Sequence, residues 1–169
     1  MATLEPKTDF RFNATLNLPD VAASATAKPR RLAQAVQAAV RAIDENTLRP
    51  VSRRDAGPAF QPKALLALLS YCYALEIYGS AHVENLLLSD LNYRQLCQDK
   101  FPDAQVIRRF RRENREVIQL CLTATLRFQV EQKLQEGFVT RVNAAQLADE
   151  AKRRLIMAMF IDSMEIDGE

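Results

Sequence analysis

Tryptophan is missing from this sequence, glycine occurs only four times and histidine only once. Few glycines leave few positions for tight left-handed turns, and aromatic residues make up only 7% of the chain. Both shortages argue against a hairpin-rich β fold. A single histidine, His82, and three scattered cysteines, Cys72, Cys97 and Cys121, with no Cys-x-x-Cys leave no ligand set for zinc. No metal site and no cofactor is expected. An odd number of cysteines with no close pairing argues against a disulfide framework and suits reduced thiols in a cytoplasm. The opening MATLEPKTDF has neither the basic start nor the apolar run of a secretory signal. The longest apolar stretch, Ala64 to Ala74, is broken by Ser70 and is too short to cross a bilayer, so no membrane partner is expected.

Ala, Leu, Arg, Glu and Gln dominate instead, and these are good helix formers. Composition predicts an all-α protein. Its 169 residues suffice for one core with appendages. Residues 1–28 lack a helical period and read as a flexible N-terminal arm. From Pro29, placed in a first helical turn, Leu32, Val36, Ala39, Val40 and Ile43 recur at helical spacing, and this helix should end near Asn46. A basic connection with Arg49, Arg53 and Arg54 follows. The segment opened by Pro62 is apolar on every side and reads as the central buried helix, with Gly79 as its left-handed cap. Ser80 is the expected N-cap of a short helix, and a second short one begins near Leu91. Pro102 and Asp103 then start a long basic helix, one rod or two nearly collinear pieces, which Gly137 closes. The expected organisation is an arm (1–28), a helical domain (29–136) and a C-terminal helical extension (137–169).

The formal net charge is only +2, yet five arginines fall within residues 108–115. At about 100° per residue, Arg108, Arg111, Arg112 and Arg115 share one face, Arg109 flanks it, and Val106, Phe110, Val117 and Cys121 lie opposite. Arginine's planar fork matches phosphate oxygens and the major-groove edge of guanine, which points to duplex DNA. A solvated surface, or internal ion pairs to the acidic C-terminal residues Asp149, Glu150, Asp162, Glu165 and Asp167, is the competing reading. The order of short helix, tight connection, short helix, proline turn and basic helix is that of a helix-turn-helix-like arrangement.

Phe60 to Asn114 resembles the N-terminal domain of bacterial insertion-sequence DDE transposases of the InsH type. The resemblance rests on Phe60 and Pro62 before a Leu-rich helix ending in Tyr71-x-Tyr73, and on Ser80 with Val83-Glu84. It continues in Leu91, Tyr93, Arg94 and Leu96, and closes on Pro102-Asp103, Ile107 and Arg109-Phe110-Arg111. Glu76 departs from the family pattern, where glycine is frequent; His82 and Val106 depart as well. The resemblance implies binding to terminal inverted repeats of a mobile element through this domain. It also implies that strand cleavage belongs to a following two-metal domain, for which too little chain remains here.

The expected function is therefore a non-catalytic, nucleoid-associated bacterial DNA-binding protein, a truncated or domesticated transposase that regulates transposition or serves a host role. Arg108, Arg109, Arg111, Arg112 and Arg115 would meet DNA on the helix, and Arg49, Arg53 and Arg54 on the loop. The alternative is a helical interaction module that joins a transposase, or a second copy of itself as a homodimer, through the C-terminal helix around Leu155, Met159 and Phe160.

Overall fold

Thirteen consecutive residues, PKALLALLSYCYA, form the element around which the others assemble. In the computed structural model, which describes residues 21–52, 59–139 and 141–168, this is α2, Pro62–Ala74, and every residue from Ala64 to Ala74 is buried. A helix with no polar side can be covered only by neighbours all round. Pro62 supplies the first turn, where its missing N–H costs nothing.

The other helices are α1 (Val21–Arg41), α3 (Ser80–Ser89), α4 (Leu91–Leu96), α5 (Ala104–Glu113), α6 (Arg115–Gln135) and α7 (Ala144–Asp167). The all-α expectation holds: among the described residues the only extended pairing is one antiparallel bridge, Val51 with Phe60. The helix α6 packs against α1, α2 and α7, while α3 packs against α4 and α5. Leu32, Val36 and Val40 of α1, Ile118, Leu122 and Leu126 of α6, and Leu147, Ala151, Leu155 and Ala158 of α7 enter one core with α2. Each large side chain so buried contributes about 1.5–3 kcal/mol.

Two local expectations are corrected. First, α1 begins at Val21, so residues 21–28 are helical and Pro29 lies inside the helix rather than in its first turn. The helix ends at Arg41, and a separate 3-10 turn, Glu45–Thr47, follows with Asp44 as its cap. Second, Gly79 is not the left-handed cap of α2, since its φ is −65° and it precedes α3. Glu76 takes that conformation, with φ 61°, and Ile77 N–H donates to the Cys72 carbonyl at 2.9 Å, closing a Schellman turn. Such a positive φ is one that glycine adopts without steric cost and glutamate does not. Of the two forms expected for the basic run, one rod or two pieces, the chain takes the second: at Asn114, with φ −123° and ψ 27°, α5 stops and α6 starts. Gly137, with φ 80°, does close α6, and Phe138 N–H reaches the Lys133 carbonyl at 2.9 Å. The proposed arm at residues 1–20 lies outside the described residues.

Candidate nucleic-acid interface

The start of α5 is built by two carboxylates. Asp103, extended before the helix, accepts from Val106 N–H at 2.9 Å, and Glu84 of α3 accepts from Ala104 N–H at 2.9 Å. One acid caps locally, the other ties α5 to α3, and both stabilise the positive end of the helix. Arg94 of α4 supports the same corner from below. It donates to the carbonyls of Leu87 and Leu88 at 2.9 and 2.7 Å, saturating the end of α3, and lies 5.9 Å from the Phe101 ring centre. Several residues that carry the transposase resemblance are thus scaffold. Val83, Leu96, Ile107 and Phe110 are buried core, while Glu84, Arg94 and Asp103 hold the helix ends.

The arginines separate into three environments. Arg111 is turned inward, 5% exposed. It donates to the Tyr73 hydroxyl at 3.2 Å, to Ser80 Oγ at 3.4 Å and to Asp162 of α7. Burial works against its charge, but Tyr73 and Asp162 outweigh burial and hold its pKa above the ordinary value. Tyr73 in turn is pushed up to about 12, by burial first, with Arg111 pulling the other way. Asp162 also accepts from the Ser80 amide at 2.8 Å and from Ser80 Oγ at 2.6 Å. The N-terminus of α3 is therefore capped by a carboxylate from a helix 82 residues away rather than by Ser80 itself.

Arg108 is half-covered, its Nε 3.7 Å from Asp162 and its Nη2 3.6 Å from Glu165. The expectation of one outward strip of Arg108, Arg111, Arg112 and Arg115 is corrected in this respect. The reason is Ile107: it is 1% exposed, so the core side of α5 is centred between Ile107 and Phe110, which carries the neighbouring Arg111 inside. The outward face is rotated by about 80° from the expected one.

Gln105, Arg109 and Arg112 occupy that outward face, and all three are exposed, as is Arg115 at the start of α6. Arg109 pairs with Glu113 at 3.3 Å, one turn along. Arg49 is exposed, and its backbone is fastened to the same place: Arg49 N–H donates to Asn114 Oδ1 at 2.7 Å, and Asn114 Nδ2 donates back to the Arg49 carbonyl at 3.0 Å. Arg53 and Arg54 lie outside the described residues. The structure thus joins Arg49 to the α5–α6 junction, although more than sixty residues of chain separate them.

Arg108, Arg111, Arg112 and Arg115 do share one feature. With Met159, Asp162, Ser163 and Ile166 of α7 they line a cavity of about 260 Å³. Two residues escaped the sequence reading of the site. Gln105 was legible, four positions before Arg109 on an uninterrupted helical face. Asn114 had no signal, since its role is a contact across the fold. Asp162 and Glu165 were named as internal ion-pair partners of the arginines, and for Arg111 and Arg108 that competing reading holds. Among the described residues no three His, Cys, Asp or Glu side chains group as a metal ion would require. No helix among them is long and apolar enough to cross a membrane.

The conserved pattern of one protein family, described as a transposase domain (DUF772), matches residues 25–113, more than half of the chain. The chain belongs to this family. No curated protein and no solved structure is detectably similar to it. The transposase-domain match runs from α1 to the last residue of α5. It includes the capped start of α5 and the outward Gln105, Arg109 and Arg112, and it stops before α6 and α7. The carboxylates that neutralise Arg111 and Arg108 therefore come from outside the matched region.

Proposed function

We propose that this transposase-domain chain is a non-catalytic DNA-binding protein, related to the end-binding domain of insertion-sequence transposases and acting at the bacterial nucleoid on terminal inverted repeats. In this reading α3, α4 and α5 act as a helix-turn-helix-like unit, and α5 lies along the major groove. The observation that carries the proposal is the outward face of α5. Gln105, Arg109 and Arg112 stand in one row, extended by Arg115 and by the Arg49 loop that Asn114 holds beside it. Arginine suits phosphate and guanine, and glutamine suits adenine. Arg108 contributes from the rim, in competition with Asp162 and Glu165, while Arg111 serves the fold. The acids of α7 that neighbour this face are engaged with arginines of the same chain, which favours a structural use for them over strand cleavage.

Titration of duplex DNA carrying the element's ends against the wild type and against Arg109→Ala, Arg112→Ala and Arg115→Ala tests this. Each lost phosphate contact should reduce the slope of log affinity against log salt by about 0.9. Gln105→Ala should relax preference at one base step and leave that slope unchanged. Equal affinity of the triple arginine variant and the wild type for duplex DNA at low salt overturns the proposal.

A further inference from the structure

Between α7 and the α5–α6 junction, the cavity of about 260 Å³ carries far more positive than negative charge on its walls. Arg108, Arg111, Arg112 and Arg115 line one side, and Asp162 is the one carboxylate among the lining residues. That carboxylate is already engaged, by the Ser80 amide and hydroxyl and by Arg111. The other three guanidiniums are not matched in this way. Arg112 and Arg115 make no hydrogen bond or ion pair with their side chains among the described residues. Arg108 Nε is shut off from solvent without a hydrogen-bond partner, and Asp162 Oδ2, at 3.7 Å, is too far to accept from it. A buried donor is rarely left so, and a partner from outside the chain accounts for it. The wall from α7 is mostly apolar, with Met159 and Ile166 two turns apart on one face and the exposed Ser163 between them.

We propose that this cavity binds a phosphate ester, with the phosphate on Arg108, Arg112 and Arg115 and the organic part against Met159 and Ile166. Charge selects an anion, since three guanidiniums surround one concave space without a carboxylate of their own. Geometry selects phosphate among anions. Several guanidinium forks on one group need more acceptor oxygens than the two of a carboxylate, and a tetrahedral phosphate supplies them. The apolar wall favours an ester over the bare ion. Glu165 stands 3.6 Å from Arg108 Nη2 and is 39% exposed at its side chain, so it competes with the phosphate for that arginine. Two sources supply such a group, a phosphodiester of the DNA backbone and a free nucleoside monophosphate. Arg112 and Arg115 also belong to the proposed DNA face, so the backbone source rests on that reading, while the free nucleotide does not.

Calorimetric titration of the full chain without DNA, first with deoxyadenosine monophosphate and then with deoxyadenosine, tests the free source. The monophosphate should bind and the nucleoside should not. Met159→Glu sets a carboxylate in the cavity wall and should weaken binding at least about tenfold. Ser163→Glu, on the same wall, repeats the test if Met159→Glu melts below the wild type. Glu165→Gln should tighten binding about two- to fivefold, as the loss of a competing ion pair of this exposure predicts. Arg109→Ala should leave it unchanged. Titration with duplex DNA tests the other source. If a backbone phosphate enters the cavity, Met159→Glu should lower the slope of log affinity against log salt by about 0.9. Phe160→Glu, which adds the same charge outside the cavity, should leave that slope at the wild-type value. Monophosphate binding no tighter than that of deoxyadenosine, together with equal slopes for Met159→Glu and Phe160→Glu, overturns the proposal. Unchanged DNA affinity of the triple arginine variant overturns the DNA reading instead, and monophosphate binding by the wild type then stands by itself.

Discussion

Asp162 ties α7 to the start of α3 and to α5 from a buried position. Its two oxygens serve the Ser80 amide, the Ser80 hydroxyl and the Arg111 guanidinium, with Arg108 within ion-pair reach. Removing one partner of such a buried pair strands the other, so Asp162→Ala should cost about 3–5 kcal/mol in urea unfolding. The double variant Asp162→Ala with Arg111→Met should recover most of that loss, since an apolar side chain can fill the site without a charge to satisfy. A second residue-scale prediction concerns alkali. Burial raises the thiols of Cys72, Cys97 and Cys121 above their ordinary 9.0 and the Tyr73 and Tyr93 hydroxyls from 10.0 to about 12. The unfolded chain therefore loses these protons first. Stability should not depend on these groups below about pH 8 and should fall from about pH 9 upward, by up to about 1.4 kcal/mol per pH unit for each fully buried group in its window and by less for the half-exposed Tyr93, which solvent screens. Urea midpoints between pH 7 and 11 would show it.

At the scale of elements, the junction between α5 and α6 positions the proposed interface. Asn114 is 3% exposed. It ends one helix, opens the next and clasps the Arg49 backbone by two hydrogen bonds, while donating also to the Phe110 carbonyl at 3.1 Å. Asn114→Ala should lower stability by about 1–3 kcal/mol. It should also release the Arg49 amide to fast hydrogen exchange while the α2 amides stay protected. Helix spacing made α2, α3, α4, α5 and α7 legible, because their apolar periods, prolines and Asp103 cap act within a few residues. That the basic run could break was legible from its length, but the position of the break at Asn114 was not. No proline or glycine marks it, and its cause is a loop that arrives from residue 49. Nor was the positive φ at Glu76 legible as a cap. Glutamate is a poor choice there on propensity, and the exposed Glu76 carboxylate reaches the largely buried Arg154 at 3.3 Å only once α7 has docked.

For the molecule as a whole, the transposase-domain match ends at residue 113, but the core does not. Ile118, Cys121, Leu122 and Leu126 of α6 and four residues of α7 complete it. Arg154 of α7 also donates to the carbonyls of Tyr73 and Ala74 at 2.9 Å, saturating the end of α2. A fragment comprising residues 25–113 would expose the underside of α2 and leave Arg111 without its counter-ion. It should show no cooperative thermal transition in circular dichroism, whereas the full chain should melt in one step.

The sequence by itself determined the helical class, the buried α2, most helix ends and the concentration of arginine on α5, because each of these depends on residues within a turn or two of one another. Tertiary structure alone decided which arginines face solvent. Whether a guanidinium at a helix flank points in or out depends on where its counter-charge sits. For Arg111 that charge is Asp162, 51 residues further along the chain, at a distance no local pattern encodes.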